Sequence, residues 1–327
     1  MPTIDDDRSP FHAGELAVQE RVGVREPIAR VGRVVLRDAM PEEHRELFAH
    51  LPMLLVGSLD GARRPWASVL VGAPGFVHAD DAYALRIDGL PAPGDPLAEH
   101  LVPGAPLGLL GIELPTRRRN RMNGTVTAVD PAGFTVAVDQ SFGNCPQYIQ
   151  VRRPAWRRPP ESFRDSRAVV PIGARLDGEA RAILARADTL FIASASAAAR
   201  GHAGPEGVDV SHRGGKPGFV KVRERGGASV LVLPDFRGNF LFNTLGNITV
   251  HPRAGLVVPD FATGDVLQLT GRAEIVWDGE ELASFAGAER LLVITLDAGL
   301  RHPDALPFTW SAPEPARQLA DTGAWSS

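Results

Sequence analysis

The chain has 327 residues, 44% of them hydrophobic and 23% charged, with a formal net charge of −4. This is the composition of a globular protein long enough for two domains, with no basic field that would mark a nucleic-acid binder. No apolar run reaches the ~18 residues of a membrane span, no signal peptide is read in MPTIDDDRSPFHAGE, and one cysteine, Cys145, allows no intramolecular disulfide. Those features suit a reducing cytoplasm.

In chain order, residues 10–50 read as helical, with Leu47, Phe48 and Leu51 on one face after Pro41. MLLVGSL then reads as a strand, DGARR as a turn and PWASVLVG as a second strand. The same order restarts near residue 176, where Asp177 caps a helix over GEARAILARA and TLFIAS follows as a strand. The 34 glycines and 28 prolines fall between short β-rich runs, as many short strands joined by turns require.

The restart carries sequence similarity. Glu43–Ser58 against Glu179–Ser194 gives five identities in sixteen at an offset of 136, and Trp66–Val77 against Asp209–Val220 gives six in twelve at 143. Gly108–Gly124 matches Gly255–Gly271 at Gly, Leu, Thr and Gly at an offset of 147. The offset only grows, at steps that can be placed in turns where insertions are cheap. The reading is a duplicated domain. Its parts are a helical extension (1–40), a first barrel (41–152), a proline- and arginine-rich linker (153–167), a second barrel (168–302) and a tail (303–327). The linker's arginines read as a solvated connector, with phosphate binding or docking as the alternative. Short antiparallel strands at this spacing close most readily into a small barrel.

Three segments of the second copy, DVSHRGGKPGFVKV, LVLPDFRGNFLFNTLGNITVHPRAGLVV and DFATGDVLQLTGRAEIV, resemble the FMN-binding split barrels of the pyridoxamine 5′-phosphate oxidase-like family. TRRRNRMNG and FGNCPQYI in the first copy are similar to a tandem subgroup predicted to bind flavin nucleotides. The fold class implied is mainly β with flanking helices, two tandem split β-barrels forming a pseudo-dimer.

An FMN site needs donors for a phosphate, polar partners for ribityl and flat backbone beside a ring. FRGNFLFNTLGN offers Asn239, Asn243, Thr244 and Asn247 around a turn entering a helix, where backbone N–H groups attract phosphate; ordinary capping is the plainer reading. SHRGGKPGFVKV offers Ser211, His212, Arg213 and Lys221, and Gly214 and Gly215 allow a ring to approach. His212 is the single candidate catalytic residue, as proton donor or substrate contact, against an ordinary surface or capping role. The resemblance adds main-chain contacts at Pro234 and Asp235, with Phe236 against the ring or simply in the core. It also adds Gln268 from a polar strand face. The repeated PGFV reads as a scar of the duplication, its Phe and Val in a barrel strand, and the contrast of SHRGGK with SVLVGA just upstream places the second copy, Gly218, Phe219, Val220 and Lys221, beside the flavin. Because such barrels bind flavin between subunits, Arg119 and Arg121 of the first copy can reach the second copy's phosphate or an anionic substrate; a solvated charge run is the bland alternative. Asn144, Gln147 and Tyr148 read as structural or site-lining.

The first copy has Val69 and Leu70 opposite His212 and Arg213, and prolines where the Asn/Thr turn belongs, so its own flavin site is expected to be degenerate. The function expected is FMN binding, with flavin-dependent oxidation or reduction of a small molecule and NAD(P)H as a candidate donor. The alternatives are a haem-binding or haem-degrading barrel using His212 or His251, or a passive flavin carrier. The chain can suffice as a pseudo-dimer or form a homodimer.

Overall fold

A computed structural model describes residues 9–165, 168–201 and 204–325. Two N-terminal helices, α1 (Ala13–Arg21) and α2 (Arg25–Val35), precede the first repeat. That repeat runs α3 (Glu42–His50), β1 (Met53–Leu59), β2 (Pro65–Val71), β3 (Val77–His78), β4 (Ala84–Ile87), α4 (Leu97–His100), β5 (Pro106–Glu113), β6 (Arg118–Asp130) and β7 (Gly133–Gly143). After β8 (Pro154–Trp156) and β9 (Val170–Ile172) comes the second. It contains α5 (Gly178–Arg186), β10 (Thr189–Ala195), β11 (Val208–Gly214), β12 (Lys221–Arg225) and β13 (Ala228–Phe236). It continues with α6 (Asn243–Val250), β14 (Arg253–Pro259), β15 (Val266–Val276), α7 (Glu280–Ala283) and β16 (Ala288–His302). β17 (Phe308–Trp310) follows and pairs with β8.

The two sheets have one topology. The first is ordered β2-β1-β5-β6-β7-β4-β3 and the second β11-β10-β14-β15-β16-β13-β12, all antiparallel. Corresponding strands β1/β10, β2/β11 and β5/β14 begin at Met53/Thr189, Pro65/Val208 and Pro106/Arg253, which reproduces the offsets of 136, 143 and 147. The chain is mainly β with flanking helices, in two tandem split barrels.

Strand alternation gives each barrel two apolar faces. In β1, Leu54 and Val56 point into the first core, while Met53 and Leu55 face the second barrel. In β10, Leu190 and Ile192 point into the second core, while Phe191 and Ala193 join the shared layer with Val69 and Val210. The barrels touch backbone to backbone, which explains two of the matched glycines. A Cβ on Gly108 would stand 2.5 Å from the Val208 carbonyl oxygen, and one on Gly255 2.3 Å from that of Pro65. At an offset of 147 Gly108 matches Gly255, and at 143 Pro65 matches Val208, so the contacts are two-fold images of each other.

Most of the linker is exposed, but arginines within it and just ahead of it are tied down. Arg152 forms a buried pair with Asp188, while Arg157 and Arg158 reach Asp304. These arginines anchor the linker to the second barrel and to the segment leading into β17. The tail is likewise docked, with Trp325 Nε1 donating to the Phe219 carbonyl at 2.8 Å.

Gly255→Ala is expected to destabilise the chain by roughly 1–3 kcal/mol through a backbone clash. Gly173→Ala, where a Cβ meets nothing within 4 Å, should stay within about 0.5 kcal/mol. Urea denaturation of the two variants checks this; equal effects would mean the close approach at Gly255 carries no energy.

Candidate functional site

A cleft opens where the first barrel's β6 meets the second barrel's β11 and α6. It has two adjoining lobes, both open to solvent. Arg119, Cys145, His212, Arg213, Asp235, Phe236 and Gly238 line both. The larger lobe adds the polar residues Arg121, Asn144, Ser211, Asn239, Asn243 and Thr244 and the apolar Leu110, Phe240, Phe242 and Leu245; Gln147, Tyr148 and Gly214 complete the smaller.

The larger lobe is a set of donors. Arg121 crosses from β6 to form a buried pair with Asp209 at 2.8 Å. It also donates to Asn243 Oδ1 at 3.0 Å and to Ser211 Oγ. Thr244 Oγ1 donates to Ser211 Oγ at 3.0 Å. Period-2 alternation in β11 puts Asp209, Ser211 and Arg213 on one face, and α6 lays Asn243 and Thr244 against it.

Positive charge is in excess. Arg213 reaches Asp235 at 3.3 Å, but Asp235 is shared with Arg290 at 3.4 Å. Arg119 has only the Cys145 carbonyl, at 2.7 Å, as its side-chain acceptor among the described residues. Burial, with Arg121 and Arg213 nearby, pulls the Arg119 guanidinium down to about 9, still protonated at neutral pH. Arg290 also pairs with Glu289, so Arg119 is the guanidinium of this group left without a carboxylate partner among the described residues. The Nε atoms of Arg121 and Arg213 are buried without a protein acceptor.

In the smaller lobe aromatic rings of the two barrels meet. Tyr148 from the first barrel stacks on Phe236 from the second, centroids 5.0 Å apart and planes 27° apart. Gly214 lies so close to the Tyr148 carbonyl that a Cβ would stand 1.9 Å from it. His212 is 4% exposed, and its Nε2 has no hydrogen-bond partner. Burial first, then Arg119 and Arg213, hold its pKa well below 6.5. The ring is therefore neutral at pH 7, and proton donation by an imidazolium gives way to hydrogen bonding from a neutral imidazole.

Several expected residues lie elsewhere, each for a packing reason. Phe219 and Val220 are in the second barrel's core, and Gly218 has φ +82 in the turn leading to them. Lys221 pairs with Glu281 and covers Trp325. Pro234 is buried in β13 beside Leu291 of β16. Asn247 is spent on Ser194 and Asp209, and His251 caps the far end of α6.

Gln268 is the informative displacement. It sits at the two-fold image of Arg121, under a second, sealed site. Its Nε2 donates to the Ala67 carbonyl, Ser68 Oγ and Asp95, and its Oε1 meets His302 Nε2 at 2.8 Å. At the matched offset Ser68 corresponds to Ser211, and Asp95, just ahead of α4, stands where Asn243 opens α6. In a two-fold pair each barrel completes the other's site, so a residue of β15 serves the first copy's site. A single-copy reading of DVLQLTGRA assigns it to the wrong one. Ser68, Asp95, His302, Asp209 and Glu15 were not singled out in the sequence. The offset of 143 would have located Ser68, whereas 147 takes Asn243 to Pro96, one residue past Asp95.

Among the described residues no group of three or more His, Cys, Asp or Glu side chains is placed to hold a metal ion, and no helix is long and apolar enough to cross a membrane. No family model and no curated protein matches the chain. Solved structures do. A histidine-to-alanine variant of HupZ from Group A Streptococcus is similar over 38% of this chain and 98% of its own, at 10% identity and a TM-score of 0.30. Unsubstituted HupZ matches over 38% and 91%, at 10% identity and 0.29. HutZ, described as a heme storage protein from Vibrio cholerae, matches over 43% and 95%, at 12% identity and 0.23. Likeness at this level bears on neither ligand nor activity.

Burial pushes His302 down to about 4, so folding disfavours its protonation. Its contribution is complete above pH 6.5 and is lost as pH falls from 6.5 through 4. His302→Gln should flatten that limb of the stability curve in denaturation titrations; an unchanged slope would remove His302 as its source.

Proposed function

We propose that the cleft binds one FMN per chain, with the phosphate in the larger lobe and the ring system in the smaller. The observation that carries this is the cleft's polarity. Arg121, the Ser211 and Thr244 hydroxyls and the Asn243 amide are confined to the larger lobe and Tyr148 and Gly214 to the smaller, while Arg119, Arg213 and Phe236 line both. A phosphomonoester suits the first end through charge-assisted hydrogen bonds, and the unpartnered Nε atoms of Arg121 and Arg213 are fitting donors. A flat ring suits the second, where Gly238 leaves open space beside Phe236 and Tyr148.

Bound FMN would supply hydride transfer. The chain's own part is to hold the anion with Arg119, Arg121 and Arg213, order Ser211 through Thr244 and Arg121, and keep His212 as a neutral partner at the junction. Residues of both barrels meet at the cleft, and the two-fold counterpart is filled by Gln268, Asp95 and Ser68; both support one site per chain. A small-molecule substrate and an electron donor such as NAD(P)H belong to the same reading, as does a cytoplasmic setting.

A second reading rests on His212 alone. A neutral buried imidazole with a free Nε2 is also what a haem iron needs, and the arginines would suit propionates. HutZ's description names that cofactor. His251 drops out of this reading, because it lies beyond the cleft.

Titration with FMN, followed by absorbance and calorimetry, is expected to saturate at one per chain. Asn243→Ala combined with Thr244→Ala should weaken binding roughly 100-fold by removing two buried hydrogen-bonding groups. Val69→Ala should not change it. Two FMN per chain, or equal losses in both variants, would sink the single-site assignment. A Soret band on haem addition that disappears in His212→Ala, without flavin uptake, would replace FMN by haem.

A further inference from the structure

The turn that carries Asn239 and leads into Asn243 is a costly piece of backbone. Phe240 and Phe242 have φ 62 and 64, a left-handed conformation disfavoured for bulky side chains. Such a turn persists only if its surroundings hold it.

The N-terminal arm supplies that hold. Phe11, Leu16, Val24 and Ile28 pack with Phe240 and Leu241, and Phe142 of the first barrel closes the cluster. Gln19 Nε2 donates to the Leu241 carbonyl at 3.3 Å. The α1 and α6 backbones touch, since a Cβ on Gly14 would stand 2.1 Å from the Gly246 carbonyl oxygen. This contact delivers Glu15, 3% exposed, to the back of Asn243. Asn243 Nδ2 donates to Glu15 Oε1, while Asn243 Oδ1 accepts from Arg121. The amide then has one orientation: nitrogen toward the arm, oxygen toward the guanidinium that faces the cleft.

We propose that α1 is a clamp on the cofactor turn and that Glu15 is a positioning residue, fixing the Asn243 amide and through it Arg121 at the anion end of the cleft. Nothing in the barrels requires a carboxyl there. Burial and Asp209 hold the Glu15 carboxyl well above its ordinary range, so it opposes a nearby anion less than an exposed glutamate would. His12, the helix cap, ties the same carboxyl in place by donating its backbone N–H to Oε2 at 3.0 Å.

This assignment rests on the proposed anionic cofactor, and its test separates the two. The full chain and the Glu15→Ala, Glu15→Asp and Glu15→Gln variants are titrated with FMN and with riboflavin, which lacks the phosphate. Melting temperatures are recorded alongside. Ala and Asp, which lose or withdraw the acceptor, are expected to weaken FMN roughly 10-fold while leaving the ratio for riboflavin near one. Gln keeps an acceptor oxygen and should restore most of the affinity. Equal losses for both flavins, or no rescue by Gln, would overturn the positioning role and leave Glu15 a packing residue. If the unsubstituted chain takes up no FMN, the flavin reading fails, and inorganic phosphate becomes the probe. The same order, with Ala and Asp weak and Gln restored, then upholds the clamp. Equal behaviour of all four chains toward phosphate overturns it.

Discussion

Everything distinctive about this protein follows from how closely its two barrels approach. Gly108 and Gly255 let backbone meet backbone across the interface, and each serves the same contact seen from the opposite side. With this contact fixed, β6 of the first barrel must cross β11 of the second, and β15 of the second must cross β2 of the first. Two equivalent interface sites are thereby created. Neither belongs to one copy, because each takes one strand and a helix start from one barrel and a crossing strand from the other.

The duplication, its offsets and the strand order were legible in the sequence, because strand alternation and glycines at forced contacts are local records of tertiary structure. The larger lobe was legible too: Ser211, Arg213, Asn239, Asn243 and Thr244 converge with Arg119 and Arg121 from the other copy. What local reading could not supply was the direction of each side chain across the two-fold. Gln268 and Asn247 are polar residues in the right segments, yet the first serves the opposite site and the second is consumed by Asp209. Phe219 and Val220 illustrate the reverse error. They stay unchanged between copies because both barrels need them in the core, which made a packing requirement look like a binding one.

The arm was the least legible part. Residues 10–50 read as helices from their pattern, but a helix pattern says nothing about where its buried face docks. Glu15 satisfies a capping box with His12, a local role that hides the longer-range one with Asn243. A residue that meets a local rule in full gives the sequence reader no reason to look further.

The divergence of the two sites has a simple electrostatic logic. A guanidinium buried without a counter-anion is expensive, and Arg121 is tolerable because Asp209 accepts from it on one side and the cleft admits solvent or a ligand on the other. At the sealed site no such opening exists. There a neutral amide, Gln268, replaces the guanidinium and can satisfy donors and acceptors together. Asp95, pushed up to about 6 by burial, is held by hydrogen bonds from Ser68, the Leu97 N–H and Gln268. His302, held neutral, completes the set by meeting the Gln268 oxygen. One site is left short of anions and the other is closed upon itself. A site that keeps an unmet charge must be met by something outside the chain, whereas a site with its hydrogen bonds complete has no call for a ligand. The same two-fold frame therefore yields one open cleft and one structural joint.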